Sequence, residues 1–214
     1  MKALLVIILI LVVLGAVFGL TYIGKYNGLV NRHEDANEGR SKFAAAINTC
    51  SQKMKSVWTL ADQEGLLEQE TYIGVAQART AYESARQAFE AADADKSTST
   101  LDLTKLGAQF GRSLVNVRVA FEAYPQLRTS ETYQKAMAAV EEGFNEIKTA
   151  LDDWITLCRD YNAYRRSFIT NWFTGRFGWE FPDKIAYYEG GITEPEQVKV
   201  TADELNPKTN PPNQ

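Results

Sequence analysis

Apolar residues are arranged along this chain in two ways. From Ala3 to Gly24 they form a nearly continuous run that no charged residue interrupts. At 1.5 Å of rise per residue this run reaches about 33 Å as a helix, enough to cross a hydrocarbon core of about 30 Å. It therefore predicts a transmembrane helix. A cleaved secretory signal is the competing explanation, but its apolar core usually runs about 7 to 15 residues, and no A-x-A site follows here. No lipobox cysteine offers a lipid anchor instead.

Beyond Gly24 the apolar positions become periodic. Leu29, Ala36, Phe43, Ile47, Cys50, Met54, Val57 and Ala61 recur at near-heptad spacing, with His33 and Arg40 on the same stripe and no proline before Pro125. This pattern carries the membrane helix unbroken into the first helix of a bundle, where His33 and Arg40 serve register or snorkel at the edge. A second helix is predicted from Leu66 to Ala94. Leu67, Glu70, Ile73, Ala78, Ala81, Ala85, Ala88 and Ala92 share one face, and Tyr72, Tyr82 and Phe89 lie beside it. The polar stretch from Lys96 to Thr100 ends it. Leu103, Leu106, Phe110, Leu114, Val117 and Phe121 then mark a third helix that stops before Pro125. The fourth keeps its spacing through Tyr133, Met137, Val140, Phe144, Ile147, Leu151, Trp154, Cys158, Tyr161, Arg165, Phe168 and Trp172. That is one helix of about 60 Å, capped by Thr129 or Ser130, with Gly175 just past its end.

The predicted fold is all-α: an N-terminal transmembrane helix continuing into an antiparallel bundle of about four long helices, connected up-down-up-down. Residues 1–25 are the anchor, 26–172 the bundle, 173–191 an aromatic-rich segment returned to the membrane, and 192–214 a polar, proline-containing disordered tail. Around the end of the fourth helix, Trp172, Phe173, Arg176, Phe177, Trp179 and Phe181 interleave aromatic rings with positive charge. Such a mixture suits a membrane-water interface. The alternative is that these rings seal the open end of the bundle.

Composition narrows the chemistry. Lys and Arg total 23 against 27 Asp and Glu, a net charge of -4, and the signs are interspersed, which argues against a nucleic-acid partner. Lys25, Arg32, Arg40 and Lys42 follow the span while only Lys2 precedes it. The bias favours a cytoplasmic body, although a short lysine-first N-terminus also suits an anchor that exports its body. Cys50 stands about 36 Å along its helix from Tyr26, and Cys158 about 21 Å from Trp172. The mismatch argues against a disulfide and for two buried apolar thiols. One histidine, no Gly-rich phosphate loop, no H-E-x-x-H and no G-x-S-x-G leave no basis for a catalytic, cofactor or metal site. Glu141-Glu142 and Asp152-Asp153 are neighbours that diverge by about 100° around a helix and form a solvated face.

Three stretches resemble the LemA family of bacterial membrane proteins. Tyr26-Asn27-Gly28-Leu29-Val30 is similar to its Y-N-x-L-V, and Val75-Ala76-Gln77-Ala78-Arg79-Thr80-Ala81 to its V-x-x-A-R-x-A. Ala123-Tyr124-Pro125-Gln126-Leu127-Arg128, Arg159-Asp160-Tyr161-Asn162 and Phe177-Gly178-Trp179 resemble its E-A-Y-P-x-L, R-x-x-Y-N and F-G-F. Residues 50–58 depart from the family's R-R-x-D-L-I-P-N-L-V, lacking both its proline and its acid, which marks a divergent member. The resemblance implies a membrane helix and a helical bundle with no catalytic residues to carry over. It assigns structural roles to Tyr26, Asn27, Leu29, Arg79, Tyr124, Pro125, Arg159, Tyr161 and Asn162. The expected function is that of a non-enzymatic scaffold in a bilayer, assembling with itself or another membrane protein. An exported, membrane-remodelling rod of the spanin kind and a ligand sensor with a cavity between helices are the alternatives.

Overall fold

The structure, a computed structural model, describes residues 2–66, 72–95 and 97–192. Leu67 and Glu70 of the expected second-helix face, Lys96 of the break, and all of the expected tail beyond Ile192 lie outside the described residues. Every regular element described is helical: α1 (Lys2–Gln63), α2 (Ile73–Ala94), α3 (Thr100–Glu122), α4 (Glu131–Arg166) and α5 (Phe168–Phe177), with a 3-10 turn at Pro125–Leu127. The fold class expected from the periodicity is the one observed.

Local signals set the helix ends. α1 stops where Gly65 adopts φ 67° and Leu66 N–H reaches back to the Ala61 carbonyl at 2.9 Å, a Schellman-type ending. Ser99 caps α3 by accepting from Asp102 N–H at 3.1 Å, and its own hydroxyl donates to the Asp102 carboxylate at 2.7 Å. Pro125 opens the 3-10 turn. Of the two expected caps of the fourth helix, Ser130 does the work, accepting from Tyr133 N–H at 3.1 Å.

Two expectations need correction. The fourth helix is not a single rod to Trp172, because Ser167 is extended (φ -60°, ψ 141°) and separates α4 from α5. Its hydroxyl donates to the Tyr164 carbonyl at 2.8 Å and also lies 2.9 Å from the Thr170 hydroxyl, so the side chain supplies a local alternative to continued helix. Gly175 consequently lies inside α5, and Gly178, at φ 63°, ends it. On α2 the buried face is Gly74, Val75, Ala78, Tyr82 and Phe89, whereas Ala81 and Ala88 are exposed. Large rings displace the expected alanine seam because they remove more apolar area from water.

The chain divides into two compact units, 1–40 with 154–185 and 41–153 with 186–214. In the second unit α1 residues 41–63, α2, α3 and the first part of α4 enclose a core. Phe43 meets Phe89 at 5.6 Å between ring centroids, Tyr82 meets Phe110 at 5.3 Å, and Trp58 stacks on Phe121 at 6.3 Å. Trp58 also meets Tyr82 at 6.0 Å and Phe43 lies against Gly107, so α1 residue numbers rise as those of α2 fall and rise together with those of α3, as an up-down-up-down bundle requires. The stripe Phe43, Ile47, Cys50, Met54, Val57 and Ala61 is buried throughout, as expected. Residues 186–192 lie along α3, where Tyr188 N–H donates to the Thr104 hydroxyl at 2.8 Å, Arg112 reaches the Tyr188 hydroxyl at 3.1 Å, and Ile192 is buried.

In the first unit α1 residues up to Arg40 pair with the end of α4. Tyr164 lies against Gly28, and Trp154 against Gly39. The numbers run in opposite senses, so the pair is antiparallel. The first part of α1 is long and apolar enough to cross a membrane, and its most apolar stretch has none of its residues buried within the chain.

Candidate functional site

The densest concentration of side chains expected to matter lies in the first unit, where α5 and the chain after it fold onto α1. Gly178 makes this possible. Its left-handed conformation, which a Cβ would strain, reverses the chain just after Phe177 so that Trp179 turns inward. Trp179 then joins Leu29, Tyr161 and Phe173 in a buried cluster, with Tyr22, Tyr164, Phe181 and Ile185 packed against it. Trp179 stacks on Phe173 at 5.8 Å with 9° between planes, and its indole N–H donates to the Tyr22 hydroxyl at 3.2 Å.

The chain from 182 to 185 is tied down by the end of α4. Tyr161 O–H donates to the Pro182 carbonyl. Asn162 holds Ile185 with both ends of its amide: its NH2 donates to the carbonyl at 2.9 Å, and its oxygen accepts from the N–H at 2.8 Å. Arg165, 8% exposed at its side chain, binds Asp183 and also donates to Asn171 of α5 at 3.0 Å. Burial pushes the Tyr161 phenol above its usual pKa, opposed by the charge of Arg165 and reinforced by that of Asp183. His33 lies against the Tyr161 and Phe181 rings, at 5.7 and 5.9 Å.

The interface candidates thus separate into two sets. Phe173 and Trp179 are buried and Phe181 is half-buried, while Trp172, Arg176 and Phe177 are exposed. Among the motif residues, Leu29, Tyr161 and Asn162 belong to this cluster or its ties. Tyr26 meets Trp179 at 5.2 Å and Phe181 at 5.8 Å. Asn27 and Arg159 are exposed. In the second unit, Tyr124, just before Pro125, accepts from Gly74 N–H at 3.2 Å and meets Tyr72 at 5.2 Å, and so holds the start of α2.

Sequence reasoning missed Phe18 and Tyr22, and it put Phe168 on the apolar seam of the fourth helix, whereas the break at Ser167 leaves Phe168 exposed. Phe18 packs on Trp172, Phe173 and Phe177 at 6.4, 5.4 and 6.3 Å, although it belongs to the apolar run. The chain carried a signal in Gly15 and Gly19, which form a G-x-x-x-G spacing within that run. A Cβ added at either would meet nothing within 4 Å.

The second unit has its own concavity, an open groove of about 630 Å³ between α1 and α2. Arg79 lines it with Ser51, Lys55, Trp58 and the ion-paired Glu83, Arg86 and Glu90. Trp58 is buried, and among the described residues its indole N–H has no hydrogen-bond partner. Cys50 and Cys158 are buried free thiols. Burial pushes them up to about 12 and about 11 respectively. Among the described residues no group of three His, Cys, Asp or Glu side chains is placed to hold a metal ion.

Compared with known proteins, residues 51–201 match a family model described as the LemA family. No curated protein and no solved structure gives a match.

Proposed function

The chain belongs to the LemA family, and from that premise we propose that it is a membrane-anchored, non-enzymatic scaffold that works by assembling with copies of itself or with another membrane protein. One observation carries this reading. α1 is a single helix from Lys2 to Gln63, and the residues of its most apolar stretch are left unburied by the rest of the chain, available to lipid and to other helices. Gly15 and Gly19 support self-association, because small residues four apart let two membrane helices approach closely. The basic residues Lys25, Arg32, Arg40 and Lys42 favour a cytoplasmic body.

Crosslinking in native membranes, followed by mild extraction and mass determination, tests the proposal. A homomeric species, weakened by Gly15→Leu or Gly19→Leu, or a defined complex with a second membrane protein is the expected result. An extracted monomer that crosslinks to nothing in native membranes overturns it.

The groove beside Trp58 favours a second reading, a ligand sensor, because it is an open concavity lined by polar and charged side chains. A ligand at 100 times its dissociation constant adds about 2.7 kcal/mol of stability. A thermal-stability screen against small polar metabolites would reveal this, and an unchanged melting temperature throughout would remove it.

A further inference from the structure

α5 has its polarity inverted relative to a helix bathed in water. Its inward face is Thr170, Phe173 and Thr174, and the threonine hydroxyls are bonded locally: Thr174 donates to the Thr170 carbonyl at 2.7 Å, and Thr170 meets Ser167 at 2.9 Å. Its outward face carries Phe168, 86% exposed, with Ile169 and Trp172 at 45% and 49%, and Phe177 at 46% lies at its edge. A surface helix of a soluble domain does the reverse, turning its apolar stripe toward the core. A contiguous exposed apolar patch of this kind marks a surface made for an apolar environment.

The neighbours of α5 indicate which environment that is. The helix packs on Phe18 and Tyr22, both within the apolar run of α1. Phe18 lies about 9 Å of helix back from Gly24, where that run ends. This matches the depth of about 5–10 Å at which interfacial helices bury their apolar faces below the headgroups. Arg176 is exposed in the last turn of α5. Lys25 and Arg32, just beyond the run, hold their charges over the Tyr164 ring at 5.0 and 4.1 Å. Cations at that level suit lipid phosphates.

We infer that α5 is a second membrane element, lying in the boundary of the same bilayer that α1 crosses and burying Phe168, Ile169, Trp172 and Phe177 among the lipids. Phe173 and Trp179 hold it against α1 from the other side. The inference rests on the reading of α1 as a membrane anchor. It gives the chain a two-point attachment that restricts the tilt and rotation of α1 at the bilayer surface.

The test uses the full chain in vesicles of phosphatidylethanolamine and phosphatidylglycerol, carrying a nitroxide on Phe168→Cys or, separately, on Val12→Cys. Both positions are exposed, so neither substitution opens a cavity, and the buried native thiols stay unlabelled. The expected result at both sites is frequent collision with oxygen and little with a water-soluble nickel chelate. A Phe168 site open to the chelate, with the Val12 site still in lipid, overturns the inference and leaves the anchor standing. A Phe168 site shielded from both reagents means that protein covers α5 instead of lipid, and overturns it as well. If the Val12 site is itself in water, the anchor reading falls and the inference with it.

Discussion

At the scale of single residues, Asn162 shows how one amide can fix a chain that has no regular structure of its own. It replaces both halves of a backbone hydrogen-bond pair for Ile185. Asn162→Ala therefore leaves a partly buried N–H and C=O without partners, at about 1–3 kcal/mol each before any rescue by water. The expected outcome is a lower melting temperature together with faster proteolysis between residues 179 and 192. Tyr161→Phe, which removes the single bond to Pro182, costs about 0.5–1.5 kcal/mol. The two buried thiols make a pH prediction. Desolvation raises Cys50 from 9.0 to about 12 and Cys158 from 9.0 to about 11. Between the ordinary and the raised values the unfolded chain has released protons that the folded chain keeps, so stability is full below about pH 9 and falls as pH rises above it. The slope is at most about 1.4 kcal/mol per pH unit for each thiol. Thermal melts across this range should show the decline, and Cys50→Ala with Cys158→Ala should reduce it.

At the scale of elements, the pairing of α1 with α4 depends on close backbone approach. A Cβ on Gly143 would collide with the Cys50 thiol and come within 3.2 Å of Cys50 Cβ on α1. Replacing a helical glycine by alanine ordinarily gains about 1 kcal/mol. Here overpacking costs about 1–3 kcal/mol, so Gly143→Ala should destabilise despite the better helix former. Adding Cys50→Ala removes the sulfur and should restore part of the loss, which paired melting curves of the single and double variants would show. The break at Ser167 is an element-scale feature of another kind. At that break the extended residue starts α5 as a separate helix, and α5 lies on α1 with Phe173 meeting Tyr22 at 5.5 Å.

At the scale of the whole molecule, the apolar residues between Leu4 and Leu20 are between 46% and 73% exposed wherever they are large. Water would not tolerate that surface on a stable monomer. The expectation is that the chain stays with the membrane pellet through an alkaline carbonate wash and requires detergent for release. Recovery in the wash would argue that the apolar run is removed or covered in the cell. The groove of the second unit, by contrast, is lined by charges that pair with one another, as Arg86 does with Glu83 and Glu90. Surface pairs of that kind contribute little to stability, so Arg86→Ala should shift the melting temperature only slightly.

The sequence by itself determined the helical class, the long apolar N-terminal stretch, the unbroken course of α1 and its buried stripe, because runs and spacings of 3 and 4 are local properties that survive any tertiary arrangement. The resemblance to the family's motifs also marked Tyr161, Asn162 and Gly178, without showing what they hold. Tertiary structure alone decided which rings of the aromatic segment are buried. Phe173 differs from Trp172 and Phe177 in which way α5 faces, and Trp179 turns inward after Gly178; both depend on Ser167, Gly178 and the rings of Phe18 and Tyr22, more than a hundred residues away. Periodicity likewise could not choose between the alanine seam and the Tyr82–Phe89 face of α2, since neighbouring stripes on one helix differ by a rotation that only the partner helices select.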